Sequence, residues 1–159
     1  DADYARNKVT RQSVTGILLF VNNTPLVWIS KRLKTVETST YGSELVASFI
    51  AIDLIIEMRY KFRMLGVRLE QQTLLVGDNM LVVLNTSIPS SSIKKKHLAC
   101  AYHHVHEAIA GRYVVYGHIP SSSNIADVTT KPLGTIAFHC LIDPILFRKP
   151  LHLQESTKK

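Results

Sequence analysis

The 159-residue chain has only two cysteines, one tryptophan, six prolines and seven glycines. With Cys100 and Cys140 alone, no disulfide framework can hold it. Two buried reduced thiols are expected, and a single bridge is the alternative. No apolar run reaches the roughly 20 residues that a membrane helix needs. The longest, Leu45 to Met58, lies beside Glu44 and carries Asp53 and Glu57, so it reads as a buried helix. A membrane partner is therefore not expected. The opening Asp1-Ala2-Asp3-Tyr4 has neither the charge pattern of a signal peptide nor an initiating Met, which suggests a fragment or processed piece. Acid is scarce, 12 Asp and Glu against 19 Lys and Arg, and the formal charge is +7. That balance favours a polyanionic partner, because phosphate contacts release counterions. The 46% hydrophobic content suffices for one core, so a single domain is expected over 1–150, with a polar tail over 151–159.

Periodicity predicts a mixed α/β order. Thr15 to Asn22 is a β-branched and aromatic strand, Asn22-Asn23-Thr24-Pro25 a turn, and Leu26 to Ser30 a second strand, which together make a hairpin. Asp1 to Tyr4 reads as the end of an earlier strand. Thr38-Ser39-Thr40 supplies N-cap hydroxyls, and Leu45, Phe49, Ile52 and Ile56 form a stripe on a long helix that Gly66 ends. Thr73 to Gly77 suits the middle of a parallel section. Asp78-Asn79 caps a short helix. A further helix is predicted from Ile93 to Ala110, a strand from Arg112 to His118, a short helix broken by Pro132, and a last helix over Thr135 to Phe147.

Four acids then stand where chemistry is plausible: Asp1 on the first strand, Glu44 in the first helical turn, Asp78 at a strand tip and Asp127 opening a late helix. Ligands of open α/β sheets gather at the carboxyl ends of parallel strands, where Asp78 falls. Converging carboxylates repel unless a cation joins them, and oxygen-only ligands suit Mg²⁺ or Mn²⁺. The plainer reading is that Asp78 caps its helix and Glu44 answers a helix dipole. Spacing alone leaves both open.

The surrounding residues point further. The chain opens Asp1-Ala2-Asp3-Tyr4-Ala5 and continues to Arg11-Gln12-Ser13-Val14-Thr15-Gly16. Later come Ser30-Lys31-Arg32-Leu33-Lys34-Thr35-Val36 and Ser39-Thr40-Tyr41-Gly42-Ser43-Glu44-Leu45-Val46-Ala47. Leu75-Val76-Gly77-Asp78-Asn79, Lys96-His97 with Tyr102-His103, and Asn124-Ile125-Ala126-Asp127-Val128-Thr129-Thr130-Lys131-Pro132-Leu133 follow. In this order, over about 1–148, they resemble the ribonuclease H domain of copia-type retrotransposon Pol polyproteins. The closing Asn-x-Ala-Asp-x-x-Thr-Lys-Pro-Leu run is the most distinctive part. The resemblance implies a ribonuclease H-like fold, with one five-stranded mixed sheet whose first three strands are antiparallel, and helices on both faces. It implies that Asp1, Glu44, Asp78 and Asp127 are catalytic and hold two Mg²⁺ (or Mn²⁺), with Asp3 as the rival to Asp1. The activity implied is endonucleolytic hydrolysis of the RNA strand of RNA–DNA hybrids during reverse transcription. The partners implied are that hybrid and the reverse transcriptase domain of the same polyprotein, inside an intracellular virus-like particle, and no small-molecule substrate is implied.

Other residues fit around this frame. His118, after Gly117, stands where related enzymes place a histidine that assists proton transfer or product release, and a surface histidine is the alternative. Lys31, Arg32 and Lys34, and Lys94, Lys95 and Lys96, are candidate phosphate contacts. Thr40 and Ser43 are candidate readers of the 2′-hydroxyl, and Asn79 a further nucleic-acid contact. His97, Cys100 and His104 share a helix face, but the adjacent lysines disfavour a zinc ion there. The first strand is expected to lack its upstream half. Two rivals stay in view. One is a decayed or domesticated copy that binds nucleic acid or protein without cutting. The other is a transposase or integrase, which usually closes its acid set with Glu where this chain has Asp127.

Overall fold

The computed structural model describes residues 1–146, so the tail expected at 151–159 and the end of the domain at 147–150 lie outside the described residues. Strands β1 (Ala2–Asp3), β2 (Val14–Val21) and β3 (Thr24–Arg32) form an antiparallel sheet in the order β1-β2-β3. Asn22 turns the β2–β3 hairpin with φ 54, a left-handed conformation that asparagine tolerates better than most residues. Helix α1 (Thr40–Met64) follows, and Ser39 caps it by accepting from the Gly42 N–H. The predicted N-cap cluster thus resolves to its middle member. Gly66, at φ 80, turns the chain beyond the helix end.

Strand β4 (Thr73–Gly77) leads into α2 (Met80–Ser87), and α3 (Ala99–Ala110) into β5 (Val114–His118). Strand β5 pairs in parallel with β4, Thr73 opposite Val114 and Gly77 opposite His118. Two short helices close the described chain, α4 (Asp127–Thr130) and α5 (Thr135–Ile142). The helix predicted from Ile93 begins instead at Ala99, after a 3-10 turn over Lys96–Leu98. Lys95 stays outside it, extended at φ −88 and ψ 100, with its amine 2.8 Å from the Ser39 hydroxyl.

The core lies where α1, α2 and α3 meet the inner face of the β4–β5 pair. Leu45, Ile52, Ile55, Val82, Leu98, Tyr102, Val105, Val114 and Tyr116 form one buried cluster. Burying a side chain of this size contributes about 1.5–3 kcal/mol, which makes this cluster the main source of stability. Phe49 and Ile56 of the predicted stripe are only partly buried, and Ala47, Ser48 and Ala51 complete the buried face of α1.

Two expectations are corrected. The five strands do not form one hydrogen-bonded sheet but a three-stranded and a two-stranded one. The physical reason is the shortness of β1, which pairs only through Ala2 opposite Thr15 and Asp3 opposite Val14. Beyond the Asp1–Gly16 backbone pair, no strand among the described residues pairs with that edge of β2. A cleft of about 200 Å³ separates it from β4, lined by Gly16–Phe20 and Thr73–Gly77. Strand β4 is therefore an edge rather than a middle strand, and Leu74, Val76 and Val115 remain exposed on the outer face of the pair. The cysteines are the second correction: Cys100 and Cys140 are both free and exposed rather than buried.

Candidate active site

Four separate parts of the chain deliver the acids. Asp1 is held at the head of β1 by a backbone pair with Gly16: its amine donates to the Gly16 carbonyl at 3.1 Å and its carbonyl accepts from the Gly16 N–H at 2.9 Å. Its carboxylate is 1% exposed. Asp78 follows the last residue of β4, Asp127 opens α4, and Glu44 lies in the first turns of α1.

Gly16 makes the convergence possible. A Cβ there would lie 2.1 Å from Thr129 Oγ1 and 2.5 Å from Thr130 Cγ2. Only a residue without a side chain lets α4 come this close to β2. Ser30 reinforces the contact by donating its hydroxyl to the Thr129 carbonyl at 2.7 Å.

Carboxylate oxygens of Asp1, Asp78 and Asp127 all lie within 4.8 Å of one another. Glu44 does not join that trio. Its Oε1 accepts from the Ala2 N–H at 2.9 Å, and its side chain lines a shared open cleft with Asp78, Asp3 and Lys131. Burial pushes the Glu44 pKa up, as does the nearby Asp78. The amine of Asp1, the Ala2 N–H and Lys131 oppose that rise. Asp3 lines that cleft but pairs with Arg6 at 3.4 Å and lies outside the trio, so the first acid in the trio is Asp1.

Several residues that hold the acids were not singled out from the sequence. Asn124 Nδ2 donates to Asp1 Oδ1 and to Asp127 Oδ1, both at 3.3 Å. Lys131 Nζ reaches the same two oxygens, at 3.4 Å and 2.9 Å. Thr130 donates its hydroxyl to Asp1 Oδ2, and Ser121 donates to Asp78 Oδ2 at 2.9 Å. Asn124 and Lys131 sit three residues before and four after Asp127, on extended backbone flanking the single turn of α4, so their closeness in sequence is the signal that could have marked them as neighbours of its carboxylate. Behind Glu44, the Tyr116 hydroxyl lies 2.6 Å from Ser48 Oγ, which donates to the Glu44 carbonyl at 2.8 Å. Burial raises the Tyr116 pKa to about 12, so it stays a neutral hydrogen-bonding group.

The remaining candidates divide. His118 Nε2 lies 3.1 Å from the Asp78 carbonyl oxygen, at the rim of the acid cluster. Asn79 is the N-cap of α2, accepting from the Leu81 and Val82 N–H groups at 3.1 Å and 3.3 Å. Ser43 is fully buried and donates its hydroxyl to the Thr40 carbonyl at 2.9 Å, while Thr40 is exposed. Lys31, Arg32, Lys34, Lys94 and Lys96 are exposed, and Lys95 is engaged with Ser39. The histidines of the disfavoured zinc set look elsewhere, His104 to Asp53 at 2.9 Å and His97 to Glu37 at 3.9 Å. Among the described residues, the acid trio is the single group placed to hold a metal ion, and no helix is long and apolar enough to cross a membrane.

No protein-family model matches the chain, and no solved structure matches it. Curated relatives do match, two of them from the same plant. The retrovirus-related Pol polyprotein from transposon RE1 of Arabidopsis thaliana is 28% identical over 143 residues, covering 87% of this chain and 9% of the relative. The corresponding polyprotein from transposon RE2 of the same plant is 25% identical over 138 residues, covering 87% of this chain and 10% of the relative. The chain thus spans about a tenth of the length of these relatives. Over most of its own length, it is similar to a segment of retrovirus-related transposon Pol polyproteins.

Proposed function

We propose that the chain is the ribonuclease H domain of a copia-type Pol polyprotein and hydrolyses the RNA strand of RNA–DNA hybrids. The observation that carries this reading is the meeting of Asp1, Asp78 and Asp127 within 4.8 Å, from places far apart in the sequence. Such a concentration of anionic oxygen with no sulfur or nitrogen ligand fits hard divalent ions, Mg²⁺ or Mn²⁺. Asp1, Asp78 and Asp127 would hold two of them, with Glu44, which lines the same cleft as Asp78, as the fourth ligand. Bound there, the ions would activate a water and offset charge on a phosphodiester.

The chain's own residues do the rest. Asn124, Thr130 and Ser121 fix the carboxylates by hydrogen bonds, so the oxygens are set before any ion arrives. His118, beside the Asp78 carbonyl, is placed to exchange a proton at the rim. Lys94 and Lys96, with Lys31, Arg32 and Lys34, supply cations for the phosphates of a hybrid. Thr40, exposed at the start of α1 and lining the cleft with Glu44 and Asp78, is the better of the two candidates for a 2′-hydroxyl contact. In this reading the physiological partners are the hybrid and the reverse transcriptase domain of the same polyprotein, within a virus-like particle.

The test is cleavage of end-labelled RNA–DNA hybrid, RNA duplex and DNA duplex, each with Mg²⁺, Mn²⁺ or chelator. Cleavage of RNA only in the hybrid, and only with metal, is the expected result. Hybrid binding without cleavage under every condition would favour a non-catalytic binding module.

A further inference from the structure

We propose that Lys131 is the built-in counter-cation of the acid cluster, which competes with divalent ions for Asp1 Oδ1 and Asp127 Oδ1 and yields those oxygens when an ion binds. This inference rests on the metal reading above.

The placement of Lys131 is specific. It is the last residue before Pro132, and a residue preceding proline is driven out of the helical region. Lys131 accordingly ends α4 in an extended conformation, at φ −121 and ψ 145. Its N–H still donates to the Asp127 carbonyl at 2.9 Å, so Asp127 anchors its backbone. Its amine bonds the carboxylate of the same residue at 2.9 Å and reaches across to Asp1 at 3.4 Å.

The other cations nearby are engaged elsewhere. The Asp1 amine donates to the Gly16 carbonyl, and Arg6 donates to Asp3 and to the Thr130 carbonyl. The Asn124 amide shares the two oxygens with Lys131 but carries no charge to offset theirs. Among the described residues, Lys131 makes the only ion pairs with Asp1 and Asp127.

An ion held by the trio would draw on the same small set of carboxylate oxygens, in which Lys131 and Asn124 already share Oδ1 of Asp1 and of Asp127 and Thr130 holds Oδ2 of Asp1. An ammonium left on the same oxygen would then sit only about 4 Å from a doubly charged ion, a repulsion strong even near a protein surface. The side chain has somewhere to go. It is 32% exposed and borders the open cleft lined by Asp3, Thr40, Glu44, Asp78 and Asn79. Binding of an ion thus exchanges one cation for another and moves a positive charge to the open side of the site.

The test is calorimetric titration of Mn²⁺ into the wild-type chain, Lys131→Gln and Lys131→Arg, together with amine labelling of wild type read by mass spectrometry. Lys131→Gln keeps a donor but loses the charge, and it should bind Mn²⁺ at least about tenfold more tightly. Lys131→Arg should remain near wild type. In wild type, saturating Mg²⁺ should speed labelling at Lys131 while leaving exposed Lys94 unchanged. Equal or weaker Mn²⁺ binding by folded Lys131→Gln overturns the inference, as does Lys131 labelling that ignores Mg²⁺. The labelling arm stands even if the variants fail to fold. If wild type binds Mn²⁺ and these results still go against Lys131, the metal reading survives. If wild type binds no divalent ion, both fall.

Discussion

Gly16 and Thr129 approach so closely that a single added carbon on Gly16 would lie 2.1 Å from the Thr129 hydroxyl oxygen. This contact between β2 and α4 sets how near Asp127 comes to Asp1, since Gly16 also makes the backbone pair that holds Asp1.

Gly16→Ala should therefore damage the site more than the fold. The methyl group collides with two threonine side chains and the Ala126 carbonyl, so α4 must shift at a cost of about 1–3 kcal/mol. A melting curve would show modest destabilisation, and Mn²⁺ affinity by calorimetry would fall by a larger factor. Unchanged Mn²⁺ binding would mean that the approach of α4 does not govern the acid cluster.

Asp78→Asn should reduce hybrid cleavage by at least about a hundredfold while leaving the melting temperature nearly unchanged. Asp78 sits at a strand tip, and its carboxylate bonds only the Ser121 hydroxyl among the described residues, so little packing depends on its charge. Full activity in folded Asp78→Asn protein would remove Asp78 from the metal-binding set.

The buried Glu44 carries a pH signature that can be read in chelator. Burial raises its folded pKa, so the folded state holds this proton more tightly than the unfolded state does. Wild-type stability should then fall as pH rises from the ordinary glutamate range through the raised folded value. Glu44→Gln lacks that titration, and its Oε1 can still accept from the Ala2 N–H. Its melting temperature relative to wild type should climb across that window and level off above it. Mg²⁺ should then stabilise wild type more than Glu44→Gln. Parallel melting curves for the two proteins at every pH would show that ionised Glu44 carries no burial cost.

Lys94 and Lys96 should behave differently from Lys95. The first two are exposed, so replacing both with Ala should reduce the salt-dependence slope of hybrid binding by about 0.7–0.9 for each phosphate left without its cation. Lys95→Ala loses a bond to the N-cap of α1 and should lower the melting temperature slightly, with little change in slope. Fluorescence anisotropy across a salt series separates the two. An unchanged slope in the Lys94, Lys96 double variant would make the run a solvated face.

Local structure was largely legible from residue order. Strand β4 lies over Thr73–Gly77 as its apolar run predicted, and α1 starts beside its cluster of capping hydroxyls, because cap chemistry and periodicity act within a few residues. The helix predicted from Ile93 begins instead at Ala99, and Lys95 before it is extended and bonds Ser39, a residue more than fifty positions earlier, a tie that no local rule anticipates.

By itself, the sequence determined which acids are available, the basic balance of the chain and the closeness of Asn124 and Lys131 to Asp127 along it. Tertiary structure alone decided that Asp1 rather than Asp3 joins Asp78 and Asp127. It also placed Glu44 beside the trio rather than within it, divided the strands between two sheets, and set Lys131 on the same oxygens as Asn124. Those outcomes turn on contacts between residues distant in the chain, and above all on how closely α4 can pack against the bare backbone at Gly16.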